Sequence, residues 1–551
     1  MTKPVLDPVD YAVISQALGA AAREMGAKLV RSAYSPIVRE ASDCSAALLD
    51  RLGNVVAQAE LIPMQLASMS ETFMACARRF PIDELEPGDF YINNDPFEGG
   101  QHLPDVFLYS PVFFEGRVVG FGATTAHHLD LGGGAPGLNM EATDYYQEGL
   151  LFPPSKYNMD HDWNGGPFER LVRANIRVPD QTIGDFNAQF AANEIGGTRL
   201  IELYRKYGAE TVEASMAGLL DYSERRMRAA IAAAPDGVYH GEDAIDDDGI
   251  TDEPLVIKST VTIAGDSVTI DFTGTCDQVA LNLNCPFSST CSAVFSCVKS
   301  ILSSPDIPFN EGAKRPFTVT APLGSLLNPR RPAPVRARMT SSYRAFGATM
   351  RAMAEAMPEA VIAGGFDTTE SVCLSHLGRD GYRIYLEIFG GGYGASANAD
   401  GSDGVDSPLS NCSNIPIEAI DMDYGFFRVI DYSLREGSAG DGRQRGGLGI
   451  RRAFRILEDG VTFASYSDRF TLAPWPLFDG EPGACARTRV LRGEEVIEVG
   501  AKASMTLMTD DVLILETGGG GGYGPANQRP ADARAHDEAE GYLGSGRDAA
   551  E

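Results

Sequence analysis

The N-terminal part of the chain shows apolar residues at helical spacing. After Asp7-Pro8 they return every three or four positions, as Val13, Ile14, Leu18, Ala21, Met25 and Leu29. This spacing predicts an amphipathic core helix with an aspartate N-cap and a proline in its first turn, ending near Ser32. Two more helical patterns, at about residues 181–206 and 208–233, are separated by Gly208. We expect these helices to serve packing rather than chemistry.

A different pattern follows the first helix and predicts a β-hairpin. Residues 106–114 and 117–125 are apolar and β-branched, and Glu115-Gly116 between them is a turn signal. Folding the two strands together brings the residues just before the first strand beside those just after the second. Any chemistry carried by the hairpin is therefore expected at that open end.

The open end of the hairpin is rich in imidazole and carboxylate. Three of the seven histidines fall within residues 93–130, together with four acidic residues besides Glu115 of the turn, and these are His102, His127, His128, Asp95, Glu98, Asp105 and Asp130. Two imidazoles and a carboxylate, with positions left for water, suit Zn²⁺, Mn²⁺ or Fe²⁺ in hydrolytic or Lewis-acid chemistry. A polar hairpin whose histidines only satisfy buried backbone groups is the alternative. The concentration of both ligand types favours the metal site.

The turn decides which histidine joins this site. Pro104 cannot donate to a β-ladder, so the segment with His102 and Asp105 is predicted as loop, and its two side chains can converge. A simple two-residue turn would bring His128 onto the face of Asp105, whereas a three-residue turn with a bulge would place His127 opposite. The residues leave both registers open.

Net charge and composition indicate which classes of binding partner are unfavourable for this chain. The 551 residues include 76 acidic and 46 basic side chains, a formal net charge of −30, and 44% of them are hydrophobic. This balance argues against nucleic acid or an anionic membrane as partner. There is no run of 18 apolar residues and no basic, apolar N-terminal signal, and the nine cysteines lack C-x-x-C spacing. We expect a soluble, cytoplasmic protein with reduced thiols.

Three glycine-rich runs stand out, at residues 131–137, 390–394 and 518–524. The first would let a backbone approach a ligand closely. The other two are interpreted as tight turns or as phosphate-binding loops. The lysine and hydroxyl residue of a P-loop follow none of them, and the complete P-loop pattern occurs nowhere in the chain. The sequence therefore predicts no ATP site of its own.

The patterns together predict a mixed α/β (α+β) protein of several domains. Composition shifts near residue 238 to alternating strands, helices return at 281–365, and 380–516 are mostly strands and glycine-rich turns. The predicted regions are an N-terminal, metal-bearing α/β region at 1–237, a mixed middle region at 238–380, a β-rich region at 381–524, and a polar tail or loosely docked helix at 525–551.

Ordered motifs carry a resemblance to a known family. They are NNDPFEGGQHLPDV, TTAHHLDLGGGAPG, EGLLFPPSK, RVPDQTIGDFNAQ, DFTGT, APLGSLLNP, GGGYGASANADGSDGV, RQRGGLG and ETGGGGGYG, in this order. On these motifs roughly residues 7–525 resemble the hydantoinase B/oxoprolinase family. That family includes β-subunits of ATP-dependent hydantoinases and lactamases and large subunits of acetone and acetophenone carboxylases.

The resemblance implies a set of metal ligands. The family's ligands are an H-x-x-D pair and a histidine 22 residues beyond its aspartate, which correspond here to His102, Asp105 and His127. A short S-x-D element beside the hairpin implies Asp43 as the fourth ligand, with a turn or helix-cap aspartate as the alternative. Zinc is the expected metal, and manganese or iron would also suit the set.

The residues around these ligands are less defined. His128 or Asp130 would act as a catalytic proton carrier or as the supporting partner of His127. Many family members have histidines where this chain has Leu61 and Gln65, so the side chains that recognise substrate stay open.

The function implied is that of a hydrolytic subunit. An ATP-binding, hydantoinase A-type partner would phosphorylate the oxygen of a cyclic amide, such as hydantoin, 5-oxoproline or a lactam. A metal-bound hydroxide in this chain would then attack the activated carbon. The two subunits would form a heterotetramer or a larger complex. A carboxylase subunit and a non-catalytic scaffold subunit are the alternatives.

Overall fold

The computed structural model describes residues 7–59, 61–368, 370–406 and 408–543, and within these ranges it is a mixed α/β structure, as predicted. The helices are α1 (Pro8–Ser32), α2 (Pro36–Arg39), α3 (Pro63–Leu66), α4 (Met69–Arg79), α5 (Pro167–Asn175), α6 (Pro179–Tyr207), α7 (Ala209–Ile231), α8 (Phe287–Leu302), α9 (Glu311–Lys314), α10 (Arg338–Met353), α11 (Ile417–Asp423) and α12 (Ala531–Ala539). The strands are β1 (Cys44–Asp50), β2 (Val55–Ala59), β3 (Asp89–Asn93), β4 (Asp105–Phe114), β5 (Arg117–His127), β6 (Ser155–Asn158), β7 (Gly237–Ile245), β8 (Leu255–Ala264), β9 (Ser267–Asp271), β10 (Phe317–Thr320), β11 (Glu370–Gly378), β12 (Gly381–Phe389), β13 (Phe427–Arg435), β14 (Gly449–Ile456), β15 (Val461–Tyr466), β16 (Arg487–Arg492), β17 (Glu495–Val499), β18 (Lys502–Leu507) and β19 (Val512–Glu516).

The long helices begin and end close to the positions that the sequence predicts. Asp7 caps α1 by accepting from the backbone N–H groups of Val9 and Asp10. Along α1 the apolar face is buried as predicted except at Val13, which is 45% exposed and lies at the edge of the stripe. Gly208 separates α6 from α7 with a left-handed backbone, φ 80°.

The predicted hairpin, β4–β5, forms the centre of a six-stranded antiparallel sheet with order β2-β1-β5-β4-β3-β6. One face of the sheet packs against α1 and α6, and the other packs against α4 through an aromatic cluster around Phe73. Gly196 of α6 lets α6 and α1 pack closely, because a Cβ there would overlap the side chain of Met25 on α1. The open end of the hairpin is therefore covered on both sides.

Three further sheets complete the described fold. Their strand orders are β10-β9-β8-β7, β12-β11-β15-β18 and β13-β14-β19-β16-β17. The predicted boundary between residues 380 and 381 falls in the turn of the β11–β12 hairpin, which is paired from Glu370↔Phe389 to Gly378↔Gly381. The division into domains stays a prediction.

The C-terminal segment carries a short helix, α12, within its described part. Asp537 on this helix is buried and accepts from both Arg445 and Arg529. The ion pair with Arg445 attaches the helix to the β-rich region.

Two findings bear on the expected environment. The nine cysteines form no disulfide with one another. Within the residues that the structure describes, no helix is long and apolar enough to cross a membrane.

The glycine runs at 390–394 and 518–524 pack backbone against backbone, together with Gly446-Gly447. Gly392 donates to the oxygen of Gly518 at 3.0 Å, and Gly520 donates to the oxygen of Gly447 at 2.9 Å. A Cβ on Gly520 would overlap the backbone oxygen of Tyr393. These glycines therefore allow segments of backbone to pack directly against one another. This is a different role from the tight turns or phosphate-binding loops that the sequence suggested.

We predict that Gly520→Ala destabilises the protein by about 3 kcal/mol or more, because the added methyl group meets backbone atoms that cannot rotate away. Gly425→Ala is the matched control, since a Cβ there has no atom within 4 Å. Thermal unfolding of both variants checks this. Equal stability of the two would show that the runs pack more loosely than described.

Candidate metal centre

The register of the hairpin depends on one extra residue. The turn has two residues, Glu115 and Gly116, both with positive φ, as in a type I′ turn. Further along, Phe113 pairs with Val118 but Val112 pairs with Gly120, so one residue of β5 bulges out and shifts the ladder by one position.

This shift pairs Asp105 directly with His127. The structure thus combines the two-residue turn with a bulge, a combination that neither predicted alternative contained. The outcome is the His127 register.

Three side chains meet at the open end of the hairpin. His102 Nε2 lies 3.4 Å from Asp105 Oδ2, and His127 Nδ1 lies 3.6 Å from Asp105 Oδ1. The two imidazole rings are 4.9 Å apart between centroids and inclined by 70°. One ligand atom from each of the three residues lies within 4.8 Å of the others, and all three residues are buried.

Asp43, the residue before β1, approaches the same cluster. Its Oδ2 lies 3.4 Å from His127 Nδ1, and its backbone oxygen accepts from the N–H of His127 at 3.0 Å. The pairing of β1 with β5, in which Cys44 faces Ala126, brings this aspartate to the hairpin. The position suits the predicted fourth ligand, and its role as ligand stays a prediction.

Burial and neighbouring charge set the protonation of the cluster. Burial, followed by the Arg338 charge, lowers the pKa of His102 to about 4, and burial lowers the pKa of His127 well below its ordinary value. Burial would raise the pKa of Asp105, but the charges of His102 and Arg338 outweigh it and the pKa is lowered. Burial and the nearby Asp105 raise the pKa of Asp43.

Near neutral pH the cluster therefore holds two neutral imidazoles and an ionised Asp105. Neutral imidazole and carboxylate are the forms that bind divalent metals.

Two imidazole nitrogens without a hydrogen-bond partner support the fit of a metal to this cluster. His102 Nε2 and His127 Nε2 are buried and have no hydrogen-bond partner. Buried polar atoms are almost always satisfied, so an unpaired nitrogen on each of two neighbouring imidazoles leaves a donor atom free for a ligand. Together with the carboxylates, this donor set suits Zn²⁺, Mn²⁺ or Fe²⁺.

Two residues of the site were not assigned to it from sequence. Gln65 Nε2 donates to Asp43 Oδ1 at 3.0 Å and to Asp105 Oδ1 at 3.3 Å, so one amide bridges both carboxylates. Arg338 donates to Asp105 Oδ2 at 2.6 Å. Many family members have a histidine at the position of Gln65, so the resemblance drew attention to this segment. In contrast, nothing in the sequence links Arg338 to a hairpin more than 200 residues earlier.

The structure brings neither His128 nor Asp130 into this cluster. His128 follows His127 in an extended segment and points to the other face, where its Nε2 lies 3.1 Å from Gln189 Oε1 and its ring stacks on Phe186. Asp130 accepts from the backbone and side chain of Arg177. These contacts are compatible with structural roles for both residues, and proton transfer by either one stays a prediction.

Comparison with known families decides the relationship. The hydantoinase B/oxoprolinase family model matches residues 7–526. The chain belongs to the hydantoinase B/oxoprolinase family. The resemblance predicted from the ordered motifs is thus confirmed.

Relatives cover nearly the whole chain. It is 34% identical to a putative D-/L-hydantoinase subunit from Pseudomonas sp. (98% of this chain, 93% of the relative). It is 31% identical to the beta subunit of caprolactamase from Pseudomonas jessenii (95% and 92%). The 5-oxoprolinase of Dictyostelium discoideum is 28% identical over 96% of this chain, which matches only 41% of that longer relative.

Solved structures show the same fold. The ATP-dependent caprolactamase from Pseudomonas jessenii superposes with a TM-score of 0.88 at 28% identity, over 98% of this chain and 95% of the other. A nucleotide-free acetone carboxylase superposes with a TM-score of 0.87 at 18% identity, over 98% and 78%. The second likeness concerns the fold alone.

We predict that His127→Ala abolishes stoichiometric metal binding, as does His102→Ala, because each removes a predicted ligand. The neighbouring variant His128→Ala is the matched control. It should keep its metal and lose about 1–3 kcal/mol of stability, since it leaves Gln189 Oε1 unpaired. Elemental analysis and thermal unfolding provide the readouts. Equal metal loss at positions 127 and 128 would contradict the described register.

A second prediction concerns the bridging amide. Gln65→Leu should weaken metal binding about 10- to 100-fold, because the two carboxylates lose their shared donor. Gln58→Leu is the control, since Gln58 is also buried but its amide has no hydrogen-bond partner. Metal affinity measured by competition with a chelator separates the two. Unchanged affinity in Gln65→Leu would mean that the bridge does not orient the ligands.

Proposed function

We propose that this chain is the metal-bearing hydrolytic subunit of an ATP-dependent cyclic-amide hydrolase that opens hydantoin, 5-oxoproline or lactam rings. The observation that carries the proposal is the pair of unpaired, buried imidazole nitrogens beside an ionised aspartate. Relatives named as a putative hydantoinase subunit, a caprolactamase beta subunit and a 5-oxoprolinase support the substrate class.

His102, Asp105 and His127, with Asp43, would hold the metal. When bound, it would supply a Lewis acid that lowers the pKa of water and polarises an oxygen. The chain's own contribution is orientation. Arg338 and Gln65 hold the carboxylates in place, and neither can take up a proton near neutral pH.

The tautomer of His102 is set by two competing neighbours. Its Nδ1 lies 3.0 Å from the backbone oxygen of Arg336, which can only accept, and 2.8 Å from Arg338 Nη1, which can only donate. A ligand at Nε2 requires the proton on Nδ1, and the Arg336 carbonyl then accepts it. Loading of the site would thus favour the Arg336 contact over the Arg338 contact.

An unstrained cyclic amide resists water, so the reaction requires activation. We propose that an ATP-binding hydantoinase A-type partner phosphorylates the amide oxygen, since the sequence contains no P-loop motif. Water then adds to the activated carbon, and the ring C–N bond breaks as the nitrogen takes up a proton, which leaves an acyl phosphate. A second water hydrolyses the acyl phosphate to a carboxylate and inorganic phosphate. Burial of the metal centre keeps bulk water away from the activated carbon.

We predict that the purified, metal-loaded chain neither hydrolyses ATP nor opens a ring alone. Activity on a panel of hydantoins, 5-oxoproline and larger lactams should appear only on mixing with the ATP-binding partner and ATP, because the amide must first be activated. Ring opening without ATP would contradict the proposal. Bicarbonate-dependent consumption of a ketone in the same mixture would instead favour a carboxylase subunit.

A further inference from the structure

Six arginines are buried in the described part of the chain, and five of them form a salt bridge with a carboxylate. The paired ones are Arg338, Arg344, Arg445, Arg452 and Arg469. The exception is Arg336, which is 5% exposed. Within the described ranges no carboxylate lies within 4.0 Å of its guanidinium, and its only side-chain hydrogen bond runs from Nη2 to the backbone oxygen of Gly137 at 2.7 Å.

The nearest acidic side chain does not neutralise this charge. Glu148 accepts from the backbone N–H groups of Val335 and Arg336, each at 2.8 Å, rather than from the guanidinium. Burial raises the pKa of Glu148 to about 8, so this carboxyl is largely protonated near neutral pH. Its other oxygen, Oε2, is buried without a partner.

Arg336 lies beside the metal centre. Its backbone oxygen is 3.0 Å from His102 Nδ1. Its guanidinium is close enough to interact electrostatically with three of the four predicted ligands, His102, His127 and Asp43. The glycine loop at 131–137 provides the only hydrogen-bond acceptor that the guanidinium contacts within the described residues.

A buried cation without a counter-ion is costly, because desolvation is not offset by attraction. Five other buried arginines in this chain avoid that cost. A guanidinium also presents parallel N–H donors that match the paired oxygens of a phosphoryl or carboxylate group. The exception at Arg336 therefore indicates that a ligand brings the missing anion.

We propose that Arg336 is a substrate-binding residue that holds an anionic oxygen group of the substrate next to the metal centre. The identity of that group as part of the substrate rests on the proposed function. If the amide oxygen is phosphorylated, the phosphoryl group is joined through that oxygen to the carbon that water attacks. It must then lie within a few ångströms of the metal. A carboxylate substituent on the ring is the other source of the same chemistry.

The test measures binding of inorganic phosphate and of acetate to the metal-loaded chain by calorimetry. Arg336→Met should weaken binding of the recognised anion about 10- to 100-fold, and Arg336→Lys should weaken it less. Arg177→Met is the matched control, because Arg177 also donates to the glycine loop, at Gly133, but is paired with Asp130. Loss for phosphate alone identifies a phosphoryl site, and loss for acetate alone identifies a carboxylate site.

Unfolding without any anion gives a second readout. Arg336→Met should raise the melting temperature, since it removes an uncompensated charge, whereas Arg452→Met should lower it, since it removes the buried cation that pairs with Glu387. Unchanged affinity for both anions in Arg336→Met, as when the metal alone holds them, would overturn the proposal. These measurements need no partner, ATP or turnover, so their failure is distinct from failure of the proposed function.

Discussion

The rest of the site depends on how the buried, ionised carboxylate of Asp105 is compensated by its neighbours. This carboxylate is buried at the first position of β4, where an unpaired charge would be strongly destabilising. Arg338, Gln65 and His102 surround it, and they come from an interior helix, a short helix before α4 and the loop before the strand. Compensation of one charge thus requires distant parts of the chain to be in place together.

Much of the fold follows from local pattern. The periodic spacing of apolar residues is clear enough to predict helix α1 and the hairpin strands from sequence. A glycine between two helical patterns predicts the break at Gly208. The metal cluster was also accessible, because His102 and Asp105 are close in sequence and the motif spacing favoured His127. These are features in which the decisive residues are neighbours along the chain.

The other features of the site depend on contacts between residues that are far apart in the sequence, and local patterns do not predict such contacts. A single bulged residue in β5 changed the register of the whole open end, and no turn residue signals it. Arg338 reaches Asp105 from 233 residues away. His128 adjoins His127 in sequence, but alternation along an extended segment sends adjacent side chains to opposite faces, so nearness in sequence does not place His128 in the cluster.

The interleaved glycine runs have a consequence for how this chain can change over time. Where a core packs side chains, a larger residue at one position can be accommodated by a smaller one opposite. Gly392, Gly447 and Gly520 offer no such exchange, because each already faces backbone and has nothing left to shrink. Substitutions there have no second-site suppressor among their neighbours, so this part of the β-rich region is closed to gradual sequence drift.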